Sequence, residues 1–335
     1  MLGQERAKLL LAAAFAPERL GHAYLFTGPD GVGKTLLAQE AAQALLCRGD
    51  GARPCGACQD CRLFAHDSHP DFLLLEPEGD SRVIKIDKIR DLIHTLSLMP
   101  VQGDRRVAII READALQEPA ANALLKTLEE PPASALLILT SSRPRALLPT
   151  LRSRCQEIRF EPLSAEHLRA ILDDRPGLDE EDVAAAVRLA GGSADRALQL
   201  IESGCLEIRR KTLARILALP AEDVFDLADD VLDWARAAAK QLEPQRERLR
   251  AFLYMLESTY RDIMVRAVCD GKEGPQQPAL SEVEGPDAAQ RLPPRRLLGI
   301  HEAVCDARRQ IDANATIDFV LQDLFERIAR LQQAT

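Results

Sequence analysis

Residues 28–35 read Gly-Pro-Asp-Gly-Val-Gly-Lys-Thr, which satisfies G-x-x-x-x-G-K-T at every position. Gly28, Gly31 and Gly33 let consecutive backbone N–H groups turn inward around phosphate oxygens, and the helix that begins near Lys34 aims its positive end at the same anion. Lys34 is placed to reach the β- and γ-phosphates, and Thr35 to ligate Mg²⁺. The chemistry indicated is binding of ATP or ADP with Mg²⁺. A glycine-rich turn that binds nothing is the bland alternative, but an apolar run before the motif and a helical pattern after it supply the context that the motif requires.

Hydrolysis needs an acid at the end of a second strand, to hold the metal and orient water. The candidate run is Arg106-Val-Ala-Ile-Ile-Arg-Glu-Ala-Asp114. The apolar strand is present, but Arg111 stands where an Asp should follow it. Glu112 fits the position of a catalytic base, and Asp114 the end of a D-E-x-x box. Arginine cannot ligate Mg²⁺, and it can pair with phosphate or with Glu112. The expectation is a nucleotide binder with weak or absent turnover of its own.

Cys47, Cys55, Cys58 and Cys61 form C-x7-C-x2-C-x2-C. Four thiolates in so short a stretch suit a closed tetrahedral zinc site, structural because no coordination position stays open. The segment 48–54 contains Gly and Pro and can fold back between the first two ligands. Zinc is favoured over an iron–sulfur cluster or four free thiols. Cys155, Cys205, Cys269 and Cys305 are scattered and read as small core residues.

The elements that must position these groups follow from periodicity. Short apolar runs at 22–27, 71–75, 106–110, 136–140 and 157–160 predict buried strands. Helical patterns at 34–46, 87–98, 118–130 and 144–151 lie between them, so the first part is a parallel α/β domain. After 160 strand signals vanish. Three short helical patterns fill 164–203, the first capped by Ser164, and longer helices fill 205–333. The stretch 271–294, with five Pro and three Gly, predicts a flexible surface loop. The fold class is therefore α/β plus all-α.

Bulk properties narrow the function. At 335 residues the chain holds two or three domains, and with 46% hydrophobic and 28% charged residues it is an ordinary globular sequence. No apolar run is long enough to span a membrane, and the first residues lack a signal-peptide pattern, so the expected location is the cytoplasm. A net charge of −9 argues against a protein that grips DNA by itself, since that task favours a basic surface.

Three further segments carry a resemblance: the cysteine module directly after the phosphate loop, Ala120-Ala-Asn-Ala-Leu-Leu-Lys-Thr-Leu-Glu-Glu-Pro-Pro132, and Leu151-Arg-Ser-Arg-Cys155. Together they resemble the clamp-loader AAA+ subunits of bacterial DNA polymerase III, the delta-prime branch most closely. The resemblance implies that Arg154 reaches across a subunit interface to the ATP γ-phosphate of the next subunit, and that Thr140 is the sensor watching a γ-phosphate. In 122–130, Leu124, Leu125 and Leu128 form the apolar face, while Lys126, Glu129 and Glu130 face water or a partner. The family's second sensor, Gly-Ser-x-Arg, departs here to Gly192-Ser-Ala-Asp-Arg196. The arginine is one position late, a rotation of about 100° on a helix.

The resemblance further implies an AAA+ domain over 1–162 with the cysteine module at 47–61, a helical lid over 163–204, and a helical collar domain over 205–335. Its implied partners are gamma/tau and delta subunits in a hetero-pentameric ring, the sliding clamp, and primer-template DNA through the assembled complex, with no membrane. The alternative is a hydrolysing gamma/tau-like motor subunit. Those usually carry further C-terminal sequence. An unrelated AAA+ helicase or remodeller leaves the four cysteines unexplained.

Overall fold

Five short strands make one parallel sheet in the order β2-β3-β4-β1-β5. They are β1 (Ala23–Thr27), β2 (Phe72–Leu75), β3 (Arg106–Ile110), β4 (Ala135–Ser141) and β5 (Gln156–Arg159). The structure is a computed structural model that describes residues 1–335 apart from 16–19, 79–81, 174, 176–177, 218, 220–222, 238–241, 269–291 and 334–335. The chain divides into two compact units, Met1–His167 and Leu168–Thr335.

The three central strands are buried at every residue because helices cover both faces, which is why their sequences are continuous apolar runs and not alternating ones. On one face Tyr24, Phe26, Val107 and Ile109 meet Ala7 and Leu11 of α1 (Glu5–Ala14) and Leu37, Ala38 and Ala41 of α2 (Lys34–Leu46). Leu25, Ala108, Ile110 and Leu139 point the other way. They join Ile89 and Leu92 of α4 (Ile86–Ser97) and Leu124 and Leu128 of α5 (Glu118–Glu129). A seven-residue helix, α3 (Gln59–Ala65), closes the cysteine module and was not foreseen.

All five predicted strands form, each within one residue of its expected bounds. The helix expected over 144–151 does not. A single 3₁₀ turn occupies Pro144–Ala146, and α6 spans only Pro149–Arg152. Pro149 is the reason: its ring drives Leu148 out of the helical region, to ψ 131°.

Beyond 160, among the described residues, every regular element is helical: α7 (Ala165–Asp173), α8 (Glu180–Leu189), α9 (Ala194–Glu202), α10 (Cys205–Leu217), α11 (Val224–Ala237), α12 (Leu242–Val268), α13 (Pro294–Asp312) and α14 (Ile317–Gln333). Ser164 does cap α7, accepting the His167 N–H at 3.2 Å. Within the second unit α12 packs on α13, and α13 on α14, burying Phe252, Leu256, Ile300, Val304, Leu321 and Phe325. Most of the loop expected over 271–294 lies outside the described residues. Pro294, its last member, already opens α13 at a position that suits proline. No described helix is long and apolar enough to cross a membrane.

Candidate functional site

The site forms where the carboxyl ends of β1, β3 and β4 meet, the place where open parallel sheets hold ligands. Register puts Phe26 beside Thr140 and Thr27 beside Ser141, and the Gly28 N–H donates to the Ser141 carbonyl at 3.3 Å. The loop then turns through Gly28 (φ 147°), Gly31 (φ 70°) and Gly33 (φ 94°), backbone conformations that side chains resist. At Gly28 the space is also closed: a Cβ would sit 2.4 Å from the Phe160 carbonyl oxygen. Gly33 caps α2 without any side-chain acceptor, so no cap side chain competes for the positive end of that helix.

Lys34 is buried, and its Nζ donates to the carbonyls of Gly28 at 2.8 Å and Pro29. It thus sits over the loop it is expected to serve. Thr35 follows on the first turn of α2, half-buried. A residue that sequence reasoning missed secures the other side of the loop. The Gln4 side chain accepts the Glu161 N–H at 3.1 Å and donates to the carbonyls of Glu161 and Val32. No motif announces it, because its partners lie up to 157 residues away.

At the end of β3 the acids are already engaged. Glu112 has a left-handed backbone (φ 50°), and its N–H donates to the buried Thr140 hydroxyl at 3.2 Å. The expected base and the expected sensor are therefore neighbours. The Glu112 carboxylate, however, accepts from one Arg82 nitrogen through both oxygens, at 2.8 and 2.9 Å. Arg111 turns chiefly to Glu76, at 2.8 Å, with Glu112 at 3.8 Å. Asp114 accepts from Ser141 at 2.7 Å and from Arg143 at 2.8 Å. Arg82 had no signal in the sequence, being 30 residues from its partner.

Arg154 lies just beyond α6. One guanidinium nitrogen donates to the Thr150 carbonyl at 2.9 Å, and the other pairs with Glu129 at the end of α5. The acid read as facing water or a partner thus holds the arginine within this chain. Leu124 and Leu128 are buried and Leu125 is partly so, as expected of the apolar face. In the second unit Arg196 stacks on Tyr254, 4.6 Å from the ring centroid, and donates to its hydroxyl at 3.2 Å.

The four cysteines converge. Cys47 ends α2, Cys58 caps α3 and Cys61 lies within it. Their sulfurs all fall within 4.8 Å of one another, with Cys47 to Cys58 at 3.8 Å and Cys55 to Cys61 at 4.0 Å. Tetrahedral zinc with Zn–S bonds of about 2.3 Å sets sulfurs about 3.8 Å apart, so the cage fits that ion. Backbone N–H groups of Cys55, Cys58 and Cys61 donate to the sulfurs of Cys47, Cys55 and Cys58 at 3.3–3.4 Å. The Cys61 N–H is the main reason the Cys58 thiol falls to about 6, whereas burial pushes Cys61 up to about 12. A Cβ at Gly49 would come within 2.5 Å of the Cys55 sulfur, so a larger residue there would push on the cage. A bidentate Arg48–Asp60 pair, both contacts at 2.9 Å, ties the two ends of the module together. Of the remaining cysteines, Cys205 is buried, Cys155 and Cys305 are half-buried, and Cys269 lies outside the described residues.

Residues 3–164 match the sequence model of the family described as DNA polymerase III, delta subunit. The DNA polymerase III subunit delta-prime of Escherichia coli K12 is 30% identical over 330 residues, which is 96% of this chain and 93% of that protein. Its counterpart from Pseudomonas aeruginosa is 38% identical over 61% of this chain and 62% of that protein. Among solved structures, a DNA polymerase III gamma-subunit-related protein of Thermotoga maritima superposes with a TM-score of 0.52 at 17% identity, covering 98% of this chain and all of that one. That last likeness is one of fold. With 30% identity to a delta-prime subunit over nearly the full length of both chains, and with the phosphate loop, cysteine module and Ser-Arg-Cys segment in place, the chain belongs to the delta-prime family of DNA polymerase III subunits.

Proposed function

We propose that this chain is a clamp-loader subunit that binds nucleotide without turning it over by itself, and that it offers Arg154 to the ATP held by a neighbouring subunit. The observation that carries the reading is an asymmetry between binding and hydrolysis. The phosphate loop keeps its glycines, Lys34 and Thr35, while Arg111 replaces the metal-binding acid and Arg82 occupies Glu112. An arginine beside a bound Mg²⁺ would repel it, and a carboxylate held in an ion pair is a poor base. The Ser153-Arg154-Cys155 segment is intact, and a planar, permanently charged fork suits charge developing on a transferred phosphoryl group.

In this reading 163–204 acts as the lid over the nucleotide, and 205–335 as the collar that joins gamma/tau and delta subunits into a pentameric ring. The ring opens the sliding clamp and sets it on primer-template DNA. The acidic net charge of −9 fits a subunit whose DNA contacts are shared. Cys47, Cys55, Cys58 and Cys61 hold one structural zinc, stiffening the exit of α2.

The test is a loader reconstituted with Arg154→Ala. We expect single-chain folding, zinc content and nucleotide affinity to match wild type. ATP turnover at the adjacent subunit's site should fall on the order of 10³-fold, and clamp loading with it. Normal loading by the mutant ring would refute the trans role. The motor alternative predicts brisk Mg²⁺-dependent ATPase activity from the purified single chain, abolished by Lys34→Ala.

A further inference from the structure

Glu257, His301 and Cys305 bring three different donors together in the second unit. His301 and Cys305 are four residues apart on α13, hence one above the other on a single face. Glu257 comes from α12, the helix that packs along α13. Their ligand atoms all lie within 4.8 Å of one another, and each residue is half-buried. The His301 Nδ1 to Cys305 sulfur distance is 3.8 Å. Tetrahedral zinc with one nitrogen at about 2.0–2.1 Å and one sulfur at about 2.3 Å would set that pair roughly 3.6 Å apart. Arg308, a turn beyond Cys305, pairs with Oε2 of Glu257, as ligating carboxylates are commonly held by an outer partner.

We propose that Glu257, His301 and Cys305 form a second metal site, for a borderline divalent cation of the Zn²⁺ class, clamping α12 to α13. The donor set selects the ion: a thiolate and an imidazole disfavour Mg²⁺ and Ca²⁺, and the carboxylate disfavours Cu(I). Three protein donors leave a fourth position for water or a donor from outside the chain, whereas the four-cysteine cage is closed. The second site is therefore the weaker and more exchangeable of the two. Binding replaces the Cys305 S–H with an S–metal bond and releases that proton to solvent. Without metal, the same residues are simply a polar contact between two helices, with Glu257 held by Arg308.

The full-length protein, stripped of metal and titrated with Co²⁺, separates these readings through its thiolate-to-cobalt charge-transfer absorbance and the metal retained per chain. Wild type should take up two equivalents, and Cys305→Ser and His301→Ala one each. Glu257→Gln, which keeps the shape and a hydrogen-bond acceptor for Arg308, should weaken the second equivalent by at least about tenfold, since loss of even an outer partner costs 10–100-fold. Cys58→Ser reports on the other cage and should keep the second equivalent, with the weaker absorbance of one thiolate. Unchanged circular dichroism of the metal-free variants excludes misfolding as the cause. Equal uptake by wild type and Cys305→Ser overturns the proposal, whatever the four-cysteine cage does. So does a second equivalent that survives all three substitutions.

Discussion

The two ends of β3 carry the same kind of contact with opposite consequences. Arg106 opens the strand and pairs with Asp71 just before β2, at 3.2 Å, while Arg111 follows the strand and pairs with Glu76 just after β2, at 2.8 Å. The longer contact is the more consequential one. Arg106 and Asp71 are 4% and 0% exposed, against 44% and 43% for Arg111 and Glu76. At the amino end the arginine also donates to the carbonyls of Thr95 and Met99. Asp71 accepts the N–H groups of Val101, Gln102 and Gly103, so the pair organises the whole bend from α4 into β3. At the carboxyl end water screens the charges of an exposed pair. Burial, more than distance, decides which ion pair is architecture.

The largest expected effect follows at the buried end. Asp71→Ala strips Arg106 of its partner and should cost on the order of 3–5 kcal/mol of stability, measured by urea unfolding. A loss below about 1 kcal/mol would erase the distinction between the two ends.

Acid should act through the same carboxyl. Burial pushes Asp71 upward, but the loop N–H groups and Arg106 outweigh it and hold the group below its usual value. A depressed folded value means stability that is fully present above the unfolded value of about 3.9 and lost as pH falls through the folded one. The stability gap between wild type and Asp71→Asn should therefore narrow below pH ~4. A gap that widens there would contradict the assignment.

The exposed end should respond in function and hardly in stability. Arg111→Asp alone should leave Mg²⁺-dependent phosphate release at background, because Arg82 still holds Glu112. Adding Arg82→Ala should raise it severalfold. Robust turnover in the single variant would show that Arg82 is no clamp.

Smallest of all should be Glu76→Ala and Glu129→Ala, each breaking an exposed pair and changing stability by less than about 1 kcal/mol. Glu129→Ala also releases Arg154, so a reconstituted loader should keep its turnover. A loss comparable to that of Arg154→Ala would make Glu129 a required positioner of the arginine.

Much of the candidate site was legible because its chemistry is local. The glycines, Lys34 and Thr35 lie within eight consecutive residues, and the four cysteines within fifteen, so spacing alone fixes which groups can meet. The strands were legible for a related reason: a sheet covered on both faces leaves unbroken apolar runs. Where local signals conflicted, reading failed, as at 144–151, where helical periodicity ran into Pro149. The cluster of Glu257, His301 and Cys305 was half legible. The i, i+4 spacing of His301 and Cys305 stands in the sequence, but nothing there says that α12 brings Glu257 to them.

The phosphate-loop motif, the clustering of four cysteines, Arg111 at the end of an apolar run and the change from strand to helix signals after 160 are all readable along the chain. Each is a matter of residue type at short spacing. Which arginine meets which acid is settled by the folded arrangement. The register that sets Phe72 beside Val107 and Leu75 beside Ile110 also brings Asp71 to Arg106 and Glu76 to Arg111. Arg82 reaches Glu112 and Arg154 reaches Glu129 outside the strands, across 30 and 25 residues. A charged side chain selects a partner by distance and by how much water remains between them, and both quantities exist only once the sheet has formed.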